Sequence, residues 1–260
     1  MSNQIINWPA DKYHADREHV SKSWLDQIHR SPAHLRAYLE GLRPPTPRME
    51  FGQLVHAWVL EPDSIQSRYL RTPNFDRRTK AGKAGAAEME ARAKESGMTM
   101  VDDETWDKAT LIVAGVYRNK AAASILSKGD AEQSVIWINS ETGEPCKARA
   151  DWLRENFTTD VKITVDASLD AFGRSIARYR YHVQDAHYRE GFDSPRFVWI
   201  AVETEPPYAV AVYADNADML SIGKAHRDAD LRLYAECKAK DQWPGYPDVV
   251  QEIALPRWAA

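Results

Sequence analysis

The spacing of apolar and polar positions changes period twice along this chain. From Ser21, "SKSWLDQIHRSPAHLRAYLEG" spaces its apolar residues as two short helices, each opened by a capping serine, with Gly41 as the stop. Ser21 or Ser23 opens the first, and Ser31, followed by Pro32 at the first helical position, opens the second. After the proline-rich "RPPTPR", the run "MEFGQLVHAWVLEPD" carries Phe51, Leu54, Val55, Trp58 and Val59 at helical spacing and ends at Pro62. A further helix is predicted from about Asp103 to Asn119.

The middle third alternates instead. "EQSVIWIN", "CKARADWL" and "TTDVKITV" read as three strands, the first two joined as a hairpin around Thr142-Gly143. "SLDAFGRSIARYRYHVQDAHYREGF" then reads as helix up to Gly191, "RFVWIAVETEPPYAVAVYAD" as a second hairpin turning at Pro206-Pro207, and Asn216 opens a long helix. This order predicts an α/β (α+β) fold, a central mixed β-sheet flanked by helices. The expected organisation is one domain over residues 1–260. Its first part, 1–120, is mainly helical with a basic loop at about 71–95, and its second, 121–260, holds the sheet.

Composition narrows the functional classes only a little. A net charge of −4 and a pI near 6.1 do not mark a nucleic-acid binder, so local charge must carry that argument. Arg71, Arg77, Arg78, Lys80 and Lys83 face one acid, Asp76, within thirteen residues. Such an island is a solvated loop or a grip on phosphates. Cys146 and Cys237 are far apart and in no CxxC, which predicts buried thiols and no cysteine metal site. No apolar run approaches the roughly 18 residues of a membrane span, and the first residues lack a leader pattern, so a cytoplasmic protein with no membrane partner is expected.

The candidate chemistry lies in "TTDVKITVDAS". Asp160 and Lys162 stand two apart on a strand and so share a face, and Asp151 ends the preceding strand nine residues earlier. Two carboxylates in one pocket repel unless a divalent cation lies between them, and Mg²⁺ favours carboxylate oxygen. Taken alone, an Asp-x-Lys on a strand is more often an exposed ion pair, and a lone His in an apolar helix such as His56 is more often a satisfied core residue. Ala177, Tyr181, Gln184 and Tyr188 fall on one helical face at i, i+4, i+7 and i+11. Glu132, at the start of the first strand, is a further acid near the metals or a solubilising edge charge.

The order of an acid, then Asp-x-Lys, resembles the PD-(D/E)xK nuclease superfamily. "YHADREHVSKSWLDQIHRSPAHLRAYL", "FGQLVHAWVLEPD", "CKARADWL", "DVK", "YRYHVQDAHYREGF" and "QWPGYPDVVQEIALPRWA" narrow the likeness to RecE-type exonucleases, the exonuclease VIII nuclease domain of prophage recombination systems. That resemblance implies metal ligands at His56, Asp151, Asp160 and the carbonyl of Val161, with Lys162 orienting or activating water. It places Gln184 and Tyr188 at the positions of a RecB-like Q-x-x-x-Y element, and it gives Tyr181 and the basic residues Arg77, Arg78, Lys80 and Lys83 to DNA. It further implies Mg²⁺, with Mn²⁺ suited to the imidazole; an iron–sulfur cluster needs four cysteine ligands, and the two cysteines of the chain exclude it. The implied activity is 5′ to 3′ degradation of linear double-stranded DNA from an end, leaving a 3′ single strand for recombination. The implied partners are DNA ends, a single-strand annealing protein and further copies of the chain in a tetrameric ring. The chain departs from the family pattern at Thr158, Thr159 and Ile163, where apolar residues before the aspartate and Thr after the lysine are usual. That departure leaves open a nuclease-fold protein that binds DNA or serves as a scaffold without cutting.

Overall fold

The computed structural model describes residues 3–41 and 47–255; the centre of the proline-rich stretch (42–46) and the end of the closing motif (256–260) lie outside them. In chain order the elements begin with β1 (Gln4–Ile6), α1 (Ala10–Ala15), α2 (Lys22–Arg30), α3 (Pro32–Leu39) and α4 (Pro47–Leu60). A single turn at Pro62–Ser64 leads into α5 (Ile65–Arg68), β2 (Tyr69–Thr72), α6 (Lys80–Ser96), β3 (Thr99–Asp102), α7 (Asp103–Arg118) and α8 (Lys120–Leu126). The chain continues through β4 (Asp130–Ile138), β5 (Pro145–Arg154), β6 (Phe157–Thr164), α9 (Leu169–Arg178), α10 (Tyr181–Phe192), β7 (Phe197–Glu203), β8 (Val210–Ala214) and α11 (Ala217–Lys240).

The main sheet has six strands in the order β1-β4-β5-β6-β7-β8, antiparallel except for the β6–β7 pair, so it is mixed as the pattern predicted. β7 explains its own sequence. "FVWIAV" is apolar throughout because both faces are covered: Phe197, Trp199 and Ala201 join one core, Ile200 and Val202 the other. The first core packs α2, α9, α10 and α11 on the sheet, and the second packs α4, α7 and α8 against it. Cys146 and Cys237 are free and buried. Among the described residues no helix is long and apolar enough to cross a membrane.

Four boundaries differ from the sequence-based expectation. β1 pairs Gln4–Ile6 with Ser134–Ile136, so the main sheet draws its edge strand from the part expected to be helical. β2 and β3 form a separate parallel pair. The basic segment is not a loop from 71 to 95: Arg71 is on β2, and Lys80–Ser96 is a helix whose N-cap, Thr79, accepts from the Gly82 N–H at 2.9 Å. The expected continuous helix breaks into α9 and α10 at Tyr179–Arg180, where Arg180 has φ +56°.

Close contact between α10 and α11 places α10 over the sheet. Gly223 permits it, because a Cβ there would come within 2.1 Å of the His182 carbonyl oxygen. Gly223→Ala should therefore force the helices apart and lower stability by about 1–3 kcal/mol, the usual scale of overpacking. A urea unfolding midpoint equal to that of the wild type would show that the two helices separate freely.

Candidate active site

The β5–β6 ladder pairs Arg154 with Phe157, Leu153 with Thr158 and Trp152 with Thr159, and stops there, short of the level of Asp151 and Asp160. On the other side, the β4–β5 register runs through Ala131↔Trp152 and resumes at Gln133↔Ala150, skipping Glu132 and Asp151. Glu132 has φ +55°, a left-handed conformation inside a strand. A regular strand keeps residues of one parity on one face; here Val135, Trp137, Cys146 and Ala148 lie in one core, whereas Ala131 and Trp152 pack on the other. Asp151 thus sits where the sheet is interrupted on both sides and kinked. Breaks of this kind re-aim side chains beside functional sites.

Into the gap point groups from four elements. Asp151 Oδ2 accepts the Val161 N–H at 2.7 Å and lies 3.3 Å from Nδ1 of His56, on α4. Asp160 Oδ2 lies 2.6 Å from Lys162 Nζ, so the two do share a face, as a buried pair and not an exposed one. Gln184, on α10, donates from Nε2 to Asp160 Oδ1 at 2.5 Å. Tyr188, one turn on, packs its ring against Phe197 and has its hydroxyl beside the Gln184 side chain. Tyr181 sets its ring 4.4 Å from Lys162 Nζ. Val161 is fully buried.

The electrostatics result from burial and like charge. Burial and then the neighbouring Asp151 push the Asp160 carboxyl up, against the pull of Lys162. Burial would also raise Asp151, but His56, Lys162 and the Val161 amide outweigh it and hold that carboxyl below its usual range. Burial works against charge on His56 and Lys162 too, yet Asp151 raises the first, and Asp160, Tyr181 and Asp151 raise the second. The set is two carboxyl groups pushed in opposite directions, beside an imidazole and an amine that both hold a proton more tightly than usual.

A divalent cation fits this donor set. Asp160 Oδ2 and Gln184 Oε1 are both buried without an aligned hydrogen bond, and Lys162 reaches the first only as an ion pair. Oxygens left over beside a second carboxylate suit a hard cation. Asp16, Glu18 and His19 form a separate group whose ligand atoms lie within 4.8 Å of one another, but Asp16 is already held by Lys147 at 2.8 Å and His19 at 3.1 Å.

A family model described as a PDDEXK-like domain of unknown function (DUF3799) matches residues 21–255. The chain belongs to this family. A solved structure from Eubacterium rectale, named a "putative exonuclease", is similar over 96% of this chain and 97% of its own, with a TM-score of 0.58 and 12% identity, which shows a shared fold. A second structure, SSO0001, covers 84% of this chain and 77% of its own at 14% identity with a TM-score of 0.35, too low to carry an argument. No protein with a curated description matches.

In this PDDEXK-like domain two cavities meet at Gly52 and His56. One, of about 780 Å³, is lined by Lys162, Tyr181, Tyr179, Phe51 and Lys108; the other, of about 950 Å³, by Asp151, Glu132, Arg149, Arg17 and Trp8. Arg77, Arg78, Lys80 and Lys83 line neither. Arg77 pairs with Glu90 at 2.7 Å and Arg78 with Asp76 at 2.9 Å, and Arg71 is bound to Asp103 and Asp107. Glu132 is no edge charge: its carboxylate is held by Arg149 at 2.5 Å, and β1 lies outside β4. Sequence reasoning missed Arg149 and Lys22, which line the second cavity, and Arg180, which precedes α10 and donates to Asp230. The alternation of "CKARAD", which aims Lys147 and Arg149 to one face of β5, was the available signal for Arg149.

Because His56 gains a proton affinity on folding, its contribution to stability is full below the unfolded imidazole value of about 6.5 and is lost as pH rises through the raised folded value. In chelator-treated protein, His56→Gln should cost most stability near about pH 6 and least near about pH 9. Urea unfolding at both values checks this, and an equal cost at each would show that the pair with Asp151 contributes nothing.

Proposed function

We propose that this chain is a metal-dependent exodeoxyribonuclease of the RecE type, a single nuclease domain that degrades linear double-stranded DNA from an end, 5′ to 3′, and leaves a 3′ single strand for recombination. The observation that carries the reading is the buried Asp151–Asp160–Lys162 cluster at the break in the sheet, with Gln184 bonded to Asp160. A divalent cation, Mg²⁺ or Mn²⁺, held by Asp151, Asp160, the Val161 carbonyl and His56, would supply Lewis acidity and a more acidic water. The chain's own groups do the rest. Lys162, kept charged by two carboxylates and 4.4 Å from the Tyr181 ring, offers an ammonium that can donate to a phosphate oxygen or to the oxygen of an attacking water and so orient it. Gln184 fixes the Asp160 carboxylate so that its second oxygen keeps one direction.

The remaining parts of the reading are a cytoplasmic location, assembly into a tetrameric ring, and a single-strand annealing protein as partner. Lys80 and Lys83, exposed on the first turns of α6, and Arg77 and Arg78 before it are assigned to backbone phosphates. Their surface ion pairs are weak competitors for a polyanion.

One observation favours a second reading, a nuclease fold that binds DNA but no longer cuts. Thr158 and Thr159, the residues that depart from the family pattern, bury hydroxyls without a hydrogen-bond partner just before Asp160. A buried unpaired hydroxyl costs about 1–3 kcal/mol and weakens the strand that carries the chemistry.

Digestion of linear and covalently closed duplexes, labelled at either end, with Mg²⁺ or Mn²⁺, separates the two. The exonuclease consumes only linear DNA, loses label from the 5′ end first, and is abolished by Lys162→Ala. If neither protein cuts while both bind, the second reading holds. Neutralising Arg77, Arg78, Lys80 and Lys83 together should weaken DNA binding and reduce the slope of log K against log salt by about one per lost contact. A slope unchanged from the wild type would place α6 outside the DNA path.

A further inference from the structure

Between α9 and α10 the backbone turns at Arg180, with φ +56° and ψ +42°. A non-glycine residue holds this conformation only where its surroundings impose it. Here the surroundings are ionic. Arg180 Nη2 donates to Asp230 Oδ2 at 2.5 Å, and Nη1 donates to the Leu25 carbonyl at 3.0 Å and reaches Asp26 Oδ1 at 3.5 Å. Asp230 belongs to α11, and Leu25 and Asp26 to α2, so one guanidinium ties two helices to the residue before α10. The side chains of Arg180 and Asp230 are only 11% and 6% exposed, which makes the pair far stronger than a surface contact. Asp26 also holds Lys22 Nζ at 2.6 Å, and Lys22 donates to the Tyr179 carbonyl at 2.8 Å.

Both residues of the break are therefore fixed from outside, and the first turn of α10, directly after them, belongs to the site. Tyr181 comes next and lies against Lys162. Gln184 comes four positions after Arg180 and bonds Asp160. The break, "ARYRY", contains neither glycine nor proline that would itself favour the turn.

We propose that Arg180 is a positioning residue: clamped between Asp26 and Asp230, it sets α10 so that Gln184 reaches Asp160 and Tyr181 covers Lys162. The catalytic consequence rests on the nuclease reading, and the geometric one does not.

Arg180→Gly keeps the backbone conformation at no strain and removes only the clamp. With end-labelled linear duplex, kcat should fall about ten- to a hundredfold with KM little changed. The double variant Arg180→Gly, Gln184→Ala should lose less than the product of the two single losses, because the Gln184–Asp160 contact is shared between them. Losses that simply add, or an effect confined to thermal stability, overturn the proposal. A second measurement needs no activity. The Gln184 side-chain amide signals in a ¹H–¹⁵N spectrum, identified by their loss in Gln184→Glu, should move to the position of a free glutamine in Arg180→Gly. They should move equally in Asp230→Asn, which serves if the first variant fails to fold. Unmoved signals overturn the proposal. Moved signals in a protein that cleaves no DNA support the positioning role and count against the nuclease reading instead.

Discussion

Asp151 and Asp160 are two carboxylates brought together inside a sheet, and their mutual repulsion governs how the surrounding elements are placed. Neither charge is cheap to bury, and each makes the other costlier. The compensation comes from far along the chain: His56 from α4, the Val161 amide and Lys162 from β6, and Gln184 from α10. It is uneven, so that Asp151 is held acidic and Asp160 is pushed the other way. A pair so tuned suits a divalent cation, whose charge would stand in for the Lys162 ammonium that now faces Asp160.

That requirement reaches into the packing. The strands can open at Asp151 only because β7 continues the sheet beside β6 in parallel register from Thr158 to Thr164, with Asp160 level with Trp199. Past the split, Val20 takes over beside β5, bonding Pro145 and Lys147 through its own N–H and carbonyl. Pro145 and Lys147 on β5 and the Val161 amide on β6 thus keep partners where the two strands separate. α10 is lowered onto the same region by its contact with Gly223, and His187 on its inner side meets the Lys147 carbonyl at 3.1 Å.

Much of this was legible in the sequence because it rests on short-range periodicity. Asp160 and Lys162 share a face by strand alternation, and Tyr181, Gln184 and Tyr188 share one by helical spacing; neither needs the tertiary fold. The errors have an equally physical cause. The basic run at 71–83 reads as a solvated loop from its charge, yet "KAGKAGAAE" is helical, and its glycines mark close approach: a Cβ at Gly82 would meet the Asp76 carbonyl at 2.0 Å, and one at Gly85 the Phe75 ring at 2.5 Å. Close approach and flexibility leave the same letter. The three-residue β1 has too few positions to show a period, and it exists only because β4 offers it an edge.

The break before α10 and the kink in β4 share a construction that no local propensity encodes. Each has a charged residue at positive φ, Arg180 at +56° and Glu132 at +55°. Each is held by a guanidinium–carboxylate pair at 2.5 Å, with Asp230 and Arg149 respectively. Left-handed backbone at such residues costs on the order of 1–3 kcal/mol, and a partly buried, charge-assisted pair is strong enough to offset it. One stands four residues ahead of Gln184 on the chain and the other at the level of Asp151 in the β4–β5 ladder. Strain next to the site is therefore stabilised by charges drawn from other elements, and the conformation of the site depends on those partners being in place.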